Sequence, residues 1–184
     1  MRAIRVLAVA ALVVGCSTFS TVQAADELKS GPGEKIAGAF DVKAITGEKA
    51  GKTLCYVCQY GSEQRPAVVL VFTQKADENL ATLVKAVDEV QKNNAKLGTV
   101  VVGVSGVAAA DFEKLQTTHK LTTPLTVAED KDGPEKYKLN KDAVVTVLVY
   151  KKGGAISKTF AFKDTKSAAE KAKEIAAAAE EAVK

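Results

Sequence analysis

"AVVLVFTQKADENLATLVKAVDEV", residues 67–90, sets the class of this chain. Its first six residues are continuously apolar and mostly β-branched, the pattern of a strand covered on both faces. After Asp77, a residue type suited to a helix N-cap, Leu80, Leu83, Val84, Val87 and Val90 recur at helical spacing. A fully buried strand feeding an amphipathic helix is the opening of an α/β layer structure.

The pattern continues toward the C-terminus. Gly98 follows the helix and "TVVVGV" (99–104) is a second buried strand. A helix over about 108–119 carries Phe112 and Leu115 on one face, "LTV" (125–127) is a brief extended piece, and "AEDKDGPEKYKLN" (128–140) reads as a turn with a short helix. "VVTVLVY" (144–150), the turn "KKGG" and "AISKTFAF" (155–162) form a hairpin, and residues 166–184 form an alanine-rich helix with Ile175 facing inward. Toward the N-terminus, "AFDVKAI" (39–45) alternates as a strand does. "TGEKAG" turns the chain, and "KTLCYVC" (52–58) is the expected hairpin partner.

The first residues belong to export rather than to the fold. Arg2 and Arg5 precede the apolar run Val6–Gly15, and Val22-Gln23-Ala24 supplies a small-residue cleavage site. The expected division is therefore a signal peptide over 1–24, a flexible leader over 25–38 and one domain over 39–184. A competing reading takes Val13-Val14-Gly15-Cys16 as a lipobox, with Cys16 carrying lipid. Either way the protein is exported, to a periplasm or beyond, with any membrane attachment through that lipid alone. The formal charge of +4 includes the two signal arginines, and lysines and acids are interspersed along the rest, so nucleic-acid binding has no support.

Cysteine use is more telling. With Cys16 lost or lipidated, Cys55 and Cys58 are the thiols of the folded part. A pair in an exported protein is oxidised, metal-bound or redox-active. One bridge over so short a loop stabilises little, which favours a functional role. If "KTLCYVC" were a regular strand, side chains three apart would face opposite ways, so the chain must turn near Tyr56-Val57 or at Cys58.

Taken together, these elements resemble the thioredoxin-like superfamily, and within it the redoxin branch of peroxiredoxins and exported thioredoxin-like proteins. The resemblance rests on the N-terminal hairpin ending in Gly51-Lys52, on "AVVLVF", "TVVVGVS" and "TPLTVAEDKDGPEKYKLN", and on the hairpin "VVTVLVYKKGGAI". It implies a three-layer fold with a central mixed sheet between helices and no cofactor. In that family the reactive cysteine opens the helix after the strand matching "AVVLVF". Here "TQKADENL" contains no cysteine, and Val145 stands where the family carries a cis-proline.

Three readings of Cys55 and Cys58 follow. The first is thiol-disulfide exchange with a client or reductant protein, the work of an oxidoreductase. By the family's order Cys55 would attack as thiolate and Cys58 resolve the mixed disulfide, with Lys52 or Arg65 as the nearest cations in sequence. The second is a Cu or Zn site, which needs further ligands from His119, a client or a second chain, the last making a metal-bridged homodimer. The third is a structural staple in an interaction domain without catalysis. A haem site fails because Gln59 follows the second cysteine. His119, on the face of Phe112 and Leu115, is expected to pack or cap its helix. Tyr56 and Tyr60 are expected to pack in the core. Asp130, Asp132 and Gly133 form a turn rather than a calcium loop, since the later ligands are missing.

Overall fold

The computed structural model describes residues 28–184. The signal and lipobox readings fall outside them. In chain order the elements are β1 (Val42–Ala44), β2 (Thr53–Leu54), α1 (Tyr56–Ser62), β3 (Ala67–Thr73), α2 (Glu78–Asn93), β4 (Gly98–Gly103), α3 (Ala109–His119), β5 (Leu125–Ala128), a 3-10 turn at Glu135–Tyr137, β6 (Val145–Lys151), β7 (Ile156–Phe162), α4 (Thr165–Glu170) and α5 (Ala172–Val183). The strands make one mixed sheet in the order β2-β1-β5-β4-β3-β6-β7.

β3 is central because it is apolar on both faces. It pairs parallel with β4 and antiparallel with β6, the latter over all seven residues from Ala67↔Lys151 to Thr73↔Val145. Period-two alternation then splits its side chains. Val69 and Val71 join Leu80, Leu83, Val84 and Val87 of α2 and Ile175 of α5 in one core. Val68, Leu70 and Phe72 join Tyr56, Tyr60, Tyr137 and Tyr150 in the other. Helices α2 to α5 thus cover one face, while α1, the 3-10 turn and the N-terminal segment cover the other. Leu83 is fully buried, and truncating it to alanine is expected to cost about 2–5 kcal/mol.

Asp77 caps α2 as the sequence suggests. Its Oδ1 accepts from the backbone N–H groups of Asn79 and Leu80, at 3.1 and 3.0 Å. Its Oδ2 accepts from Thr165 Oγ1 at 2.7 Å, fixing the start of α4 to the start of α2. The single C-terminal helix expected from composition runs instead as α4 and α5, with Lys171 (φ −93°, ψ 5°) between them. Hydrogen bonds from Lys171 N to Ser167 O and from Ile175 N to Lys171 O carry the chain across this local opening.

Residues 28–38, expected from their composition to be a flexible leader, make fixed contacts. Ser30 Oγ lies 2.7 Å from Thr146 Oγ1 and accepts from Asn140 N at 3.0 Å. Ile36 N donates to Gly154 O, Ile156 N donates to Glu34 O, and Lys35 forms an isolated antiparallel bridge with Ala155. The cause is backbone pairing plus burial of Ser30, neither of which has a periodic signature. The Asp130–Gly133 segment is a turn, as expected: Gly133 N donates to Asp130 O at 2.8 Å and Gly133 takes φ +81°.

Candidate redox site

The expected hairpin partner "KTLCYVC" pairs only at Thr53 and Leu54, opposite Lys43 and Val42. At Cys55 the chain leaves the sheet and starts α1, so the cysteines are at a helix start and not at the end of a long strand. Cys55 is the N-cap, in extended conformation (φ −101°, ψ 104°), and its Sγ accepts from Cys58 N at 3.1 Å. Residues three apart on a helix share a face. The Cα atoms are 5.3 Å apart and the two sulfurs form a disulfide. Cys55 is half-buried and Cys58 exposed.

The helix was missed because "QYGSEQRP" carries Gly61 and ends in turn-formers. The signal that could have found it is the four-residue spacing of Tyr56 and Tyr60. Both rings are buried, 5.6 Å apart between centroids, and hold α1 on the sheet. Tyr60 Oη donates to Thr99 O at 2.6 Å. Burial raises the pKa of Tyr56, with a smaller contribution from Glu48, and burial drives that of Tyr60 far above the ordinary phenol range. Tyr56 Oη is buried without a hydrogen-bond partner, as is Tyr150 Oη on the same face of the sheet.

Arg65, expected as a cation beside the cysteines, stands at the other end of α1. Its Nε donates to Glu63 Oε2 at 2.7 Å, its Nη1 donates to Ala95 O and Leu97 O, and its guanidinium lies 5.3 Å from the Tyr60 ring centroid. The chain turns back after Ser62, with Arg65 N donating to Tyr60 O, so the guanidinium sits beside Tyr60 at the end of α1 and not at Cys55, the N-cap of its start. There it serves Glu63, whose carboxyl is held below the usual range by the Gln59 amide and then by Arg65. The local donor to the Cys55 sulfur is the Cys58 amide, part of the unpaired first turn of the helix. Lys52 is exposed.

His119 does not approach the cysteines. It ends α3, whose Phe112 and Leu115 pack in the α2 core, on the sheet face opposite α1. Its Nε2 lies 2.7 Å from Glu78 Oε2, out of line for a hydrogen bond, and joins the end of α3 to the start of α2. The fold turned the histidine away because α3 crosses to the other layer. Among the described residues no group of three or more His, Cys, Asp or Glu side chains could hold a metal ion.

The position at which an open α/β sheet usually binds its ligands, the carboxyl ends of its central strands, is elsewhere. A cleft of about 130 Å³ lies there, lined by Phe72, Gln74, Val104, Ser105, Asn140 and Thr146 among others, with no cysteine. β2 is four strand positions from β3, about 19 Å at the usual strand spacing. Also beyond sequence reading was Asp88, buried in α2. Its carboxylate accepts from Thr122 N at 2.7 Å, Thr123 N at 3.0 Å and the Thr123 hydroxyl.

No protein-family model matches the chain, and no curated protein matches it by sequence. Solved structures do match. A Bacteroides thetaiotaomicron protein provisionally described as a disulfide isomerase superposes with a TM-score of 0.57 at 18% identity, over 80% of this chain and 92% of that one. A secreted thiol-disulfide isomerase from Corynebacterium glutamicum gives 0.55 at 10%, over 79% and 84%. The peroxidoxin BcpB from Mycobacterium tuberculosis gives 0.52 at 14%, over 83% and 98%. At such identities the likeness is one of architecture, and with the mixed seven-stranded sheet between helical layers it shows that this chain has the thioredoxin-like fold of the thiol-disulfide and redoxin proteins.

Proposed function

We propose that the protein is an exported thiol-disulfide exchange protein, whose Cys55/Cys58 pair cycles between dithiol and disulfide with client or reductant proteins. One observation carries this reading. The two cysteines close a disulfide across the first turn of a helix, with Cys58 an exposed residue and the half-buried Cys55 receiving a backbone N–H on its sulfur. That donor favours the Cys55 thiolate over the thiol. In the reducing direction, Cys55 Sγ attacks a client disulfide and the client's leaving sulfur departs as thiolate. Cys58 then attacks Cys55 Sγ, the client's second thiol is released, and the client has gained two electrons. Export is supported by the arginines and apolar run of residues 1–24 and by the likeness to the secreted isomerase.

The test is a redox titration of the purified protein against dithiothreitol, followed by reduction of insulin by its dithiol form. Equilibrium with the mild dithiol and insulin reduction abolished by Cys55→Ser are expected. A bridge that stays closed under the same conditions would show a structural staple instead.

A further inference from the structure

The sheet ends in β2 on one side and in β7, whose start pairs with residues 34–36, on the other, and Cys55 is continuous with β2. Ala44 N donates to Lys52 O, and Ile45 N, on the opposite edge of β1, donates to Leu125 O. Bonded and non-bonded pairs alternate in an antiparallel ladder, so the next bonded pair of β1 and β2 is Val42↔Leu54. Lys43↔Thr53 is therefore a non-bonded pair, and the N–H and C=O of Thr53 point away from β1. Thr53 is exposed. A donor and acceptor with no partner among the described residues thus stand two residues before the Cys55 sulfur, on the outer edge of the sheet.

We propose that this edge is the docking site for an extended, cysteine-bearing segment of a protein client, which adds to β2 as a short strand while its sulfur exchanges with Cys55. The inference rests on the redox reading above and names its substrate class: polypeptide disulfides in extended conformation. Main-chain pairing gives such a segment affinity without sequence preference. A two-residue edge offers little beyond the Thr53 pair, which suits a partner that must leave after exchange. The cleft at the carboxyl ends of the strands is a poorer platform for this chemistry. It has no sulfur, and residues 29–30 are bonded to two residues that line it, Asn140 and Thr146.

Dithiol protein is mixed with either of two disulfides: 2-hydroxyethyl disulfide, which has no peptide backbone, or an unstructured ten-residue peptide carrying one cysteine as its mixed disulfide with glutathione. In both, Cys55 Sγ displaces one thiolate and Cys58 then releases the other as the protein disulfide closes. Thr53→Pro removes an N–H that faces solvent, a substitution that an edge strand tolerates. The variant is expected to reduce the small disulfide at the wild-type rate and the peptide about tenfold more slowly, the weight of one hydrogen bond. In parallel, Cys58→Ser is used to hold the peptide on Cys55, and amide hydrogen exchange is read at Thr53. Protection of that N–H in the complex, against free exchange without the peptide, is expected, and it decides the matter if Thr53→Pro slows both substrates alike. Equal peptide rates in wild type and Thr53→Pro, or an unprotected Thr53 amide in the complex, would overturn edge docking while leaving the redox function intact. Wild-type protein inert toward both disulfides would overturn the redox function itself, and edge docking with it.

Discussion

The ring of Tyr60 fills the space that a side chain on Gly98 would need. A Cβ at Gly98 would meet Tyr60 Cδ2 at 2.9 Å and Val68 Cγ2 at 3.1 Å. The first residue of β4 is thus small so that α1, and with it the cysteine pair, can lie against the sheet. Gly98→Ala is expected to lower stability by about 1–3 kcal/mol, the usual cost of overpacking a filled core. Tyr60→Phe leaves the fit but orphans the Thr99 carbonyl, for a loss of about 1–2 kcal/mol. Urea unfolding of the two variants checks both values. A neutral Gly98→Ala would show that Tyr60 does not anchor the helix.

Asp88 is a polar position at which substitution is expected to be costly. Replacing it with alanine removes the acceptor of the buried Thr123 N–H, of the part-buried Thr122 N–H and of the Thr123 hydroxyl, which keeps only Thr99 Oγ1 as a partner. A loss of about 3–5 kcal/mol is expected in thermal or chemical melts. Asp88→Asn keeps an acceptor oxygen and should recover part of it.

Alkaline stability should follow the buried tyrosines. Burial raises the pKa of Tyr60, Tyr137 and Tyr150 in the folded protein. A raised folded pKa gives stability that is complete below the unfolded value, near 10, and is lost as pH climbs above it. Each of these tyrosines multiplies the unfolding constant about tenfold per pH unit in that range. Absorbance at about 295 nm should therefore report their ionisation together with unfolding, and early ionisation in the native protein would contradict their burial.

Two adjacent glycines separate backbone strain from packing. Gly153 (φ +86°) has open space around it, whereas a Cβ on Gly154 (φ +87°) would meet Ile36 Cγ1 at 2.8 Å. Gly153→Ala is expected to cost about 1 kcal/mol for its backbone alone. Gly154→Ala should cost more, and should raise hydrogen exchange at Ile36, whose N–H bonds Gly154 O. Equal costs would mean that the N-terminal segment does not depend on this contact.

How the cysteines are used separates local from global contributions. Removing both, as Cys55→Ser with Cys58→Ser, is expected to cost no more than about 2 kcal/mol, since the bridge closes a very short loop. Exchange activity should vanish at the same time, with the fold retained by circular dichroism. Loss of the fold would assign the bridge a structural role.

Sequence alone determined the layers. Continuous apolar runs at β3, β4 and β6 and the helical spacing of α2 are local patterns whose period dictates which face is buried, and Asp77 could be placed as a cap from its neighbours. The resemblance built on those patterns led to the right fold, and the cysteine pair was visible as a spacing. What only tertiary structure decided depends on contacts between residues far apart in the chain. Helix α1 is short and interrupted by Gly61, so it is stable only because Tyr56 and Tyr60 bury against β3 and β4. The burial of Asp88 reflects donors in a loop more than thirty residues away. The course of residues 28–38 is set by Thr146 and Gly154, and His119 and Arg65 were separated from the cysteines by the crossing of α3 and the length of α1. Periodicity reports which side of an element is buried, but not what lies across from it.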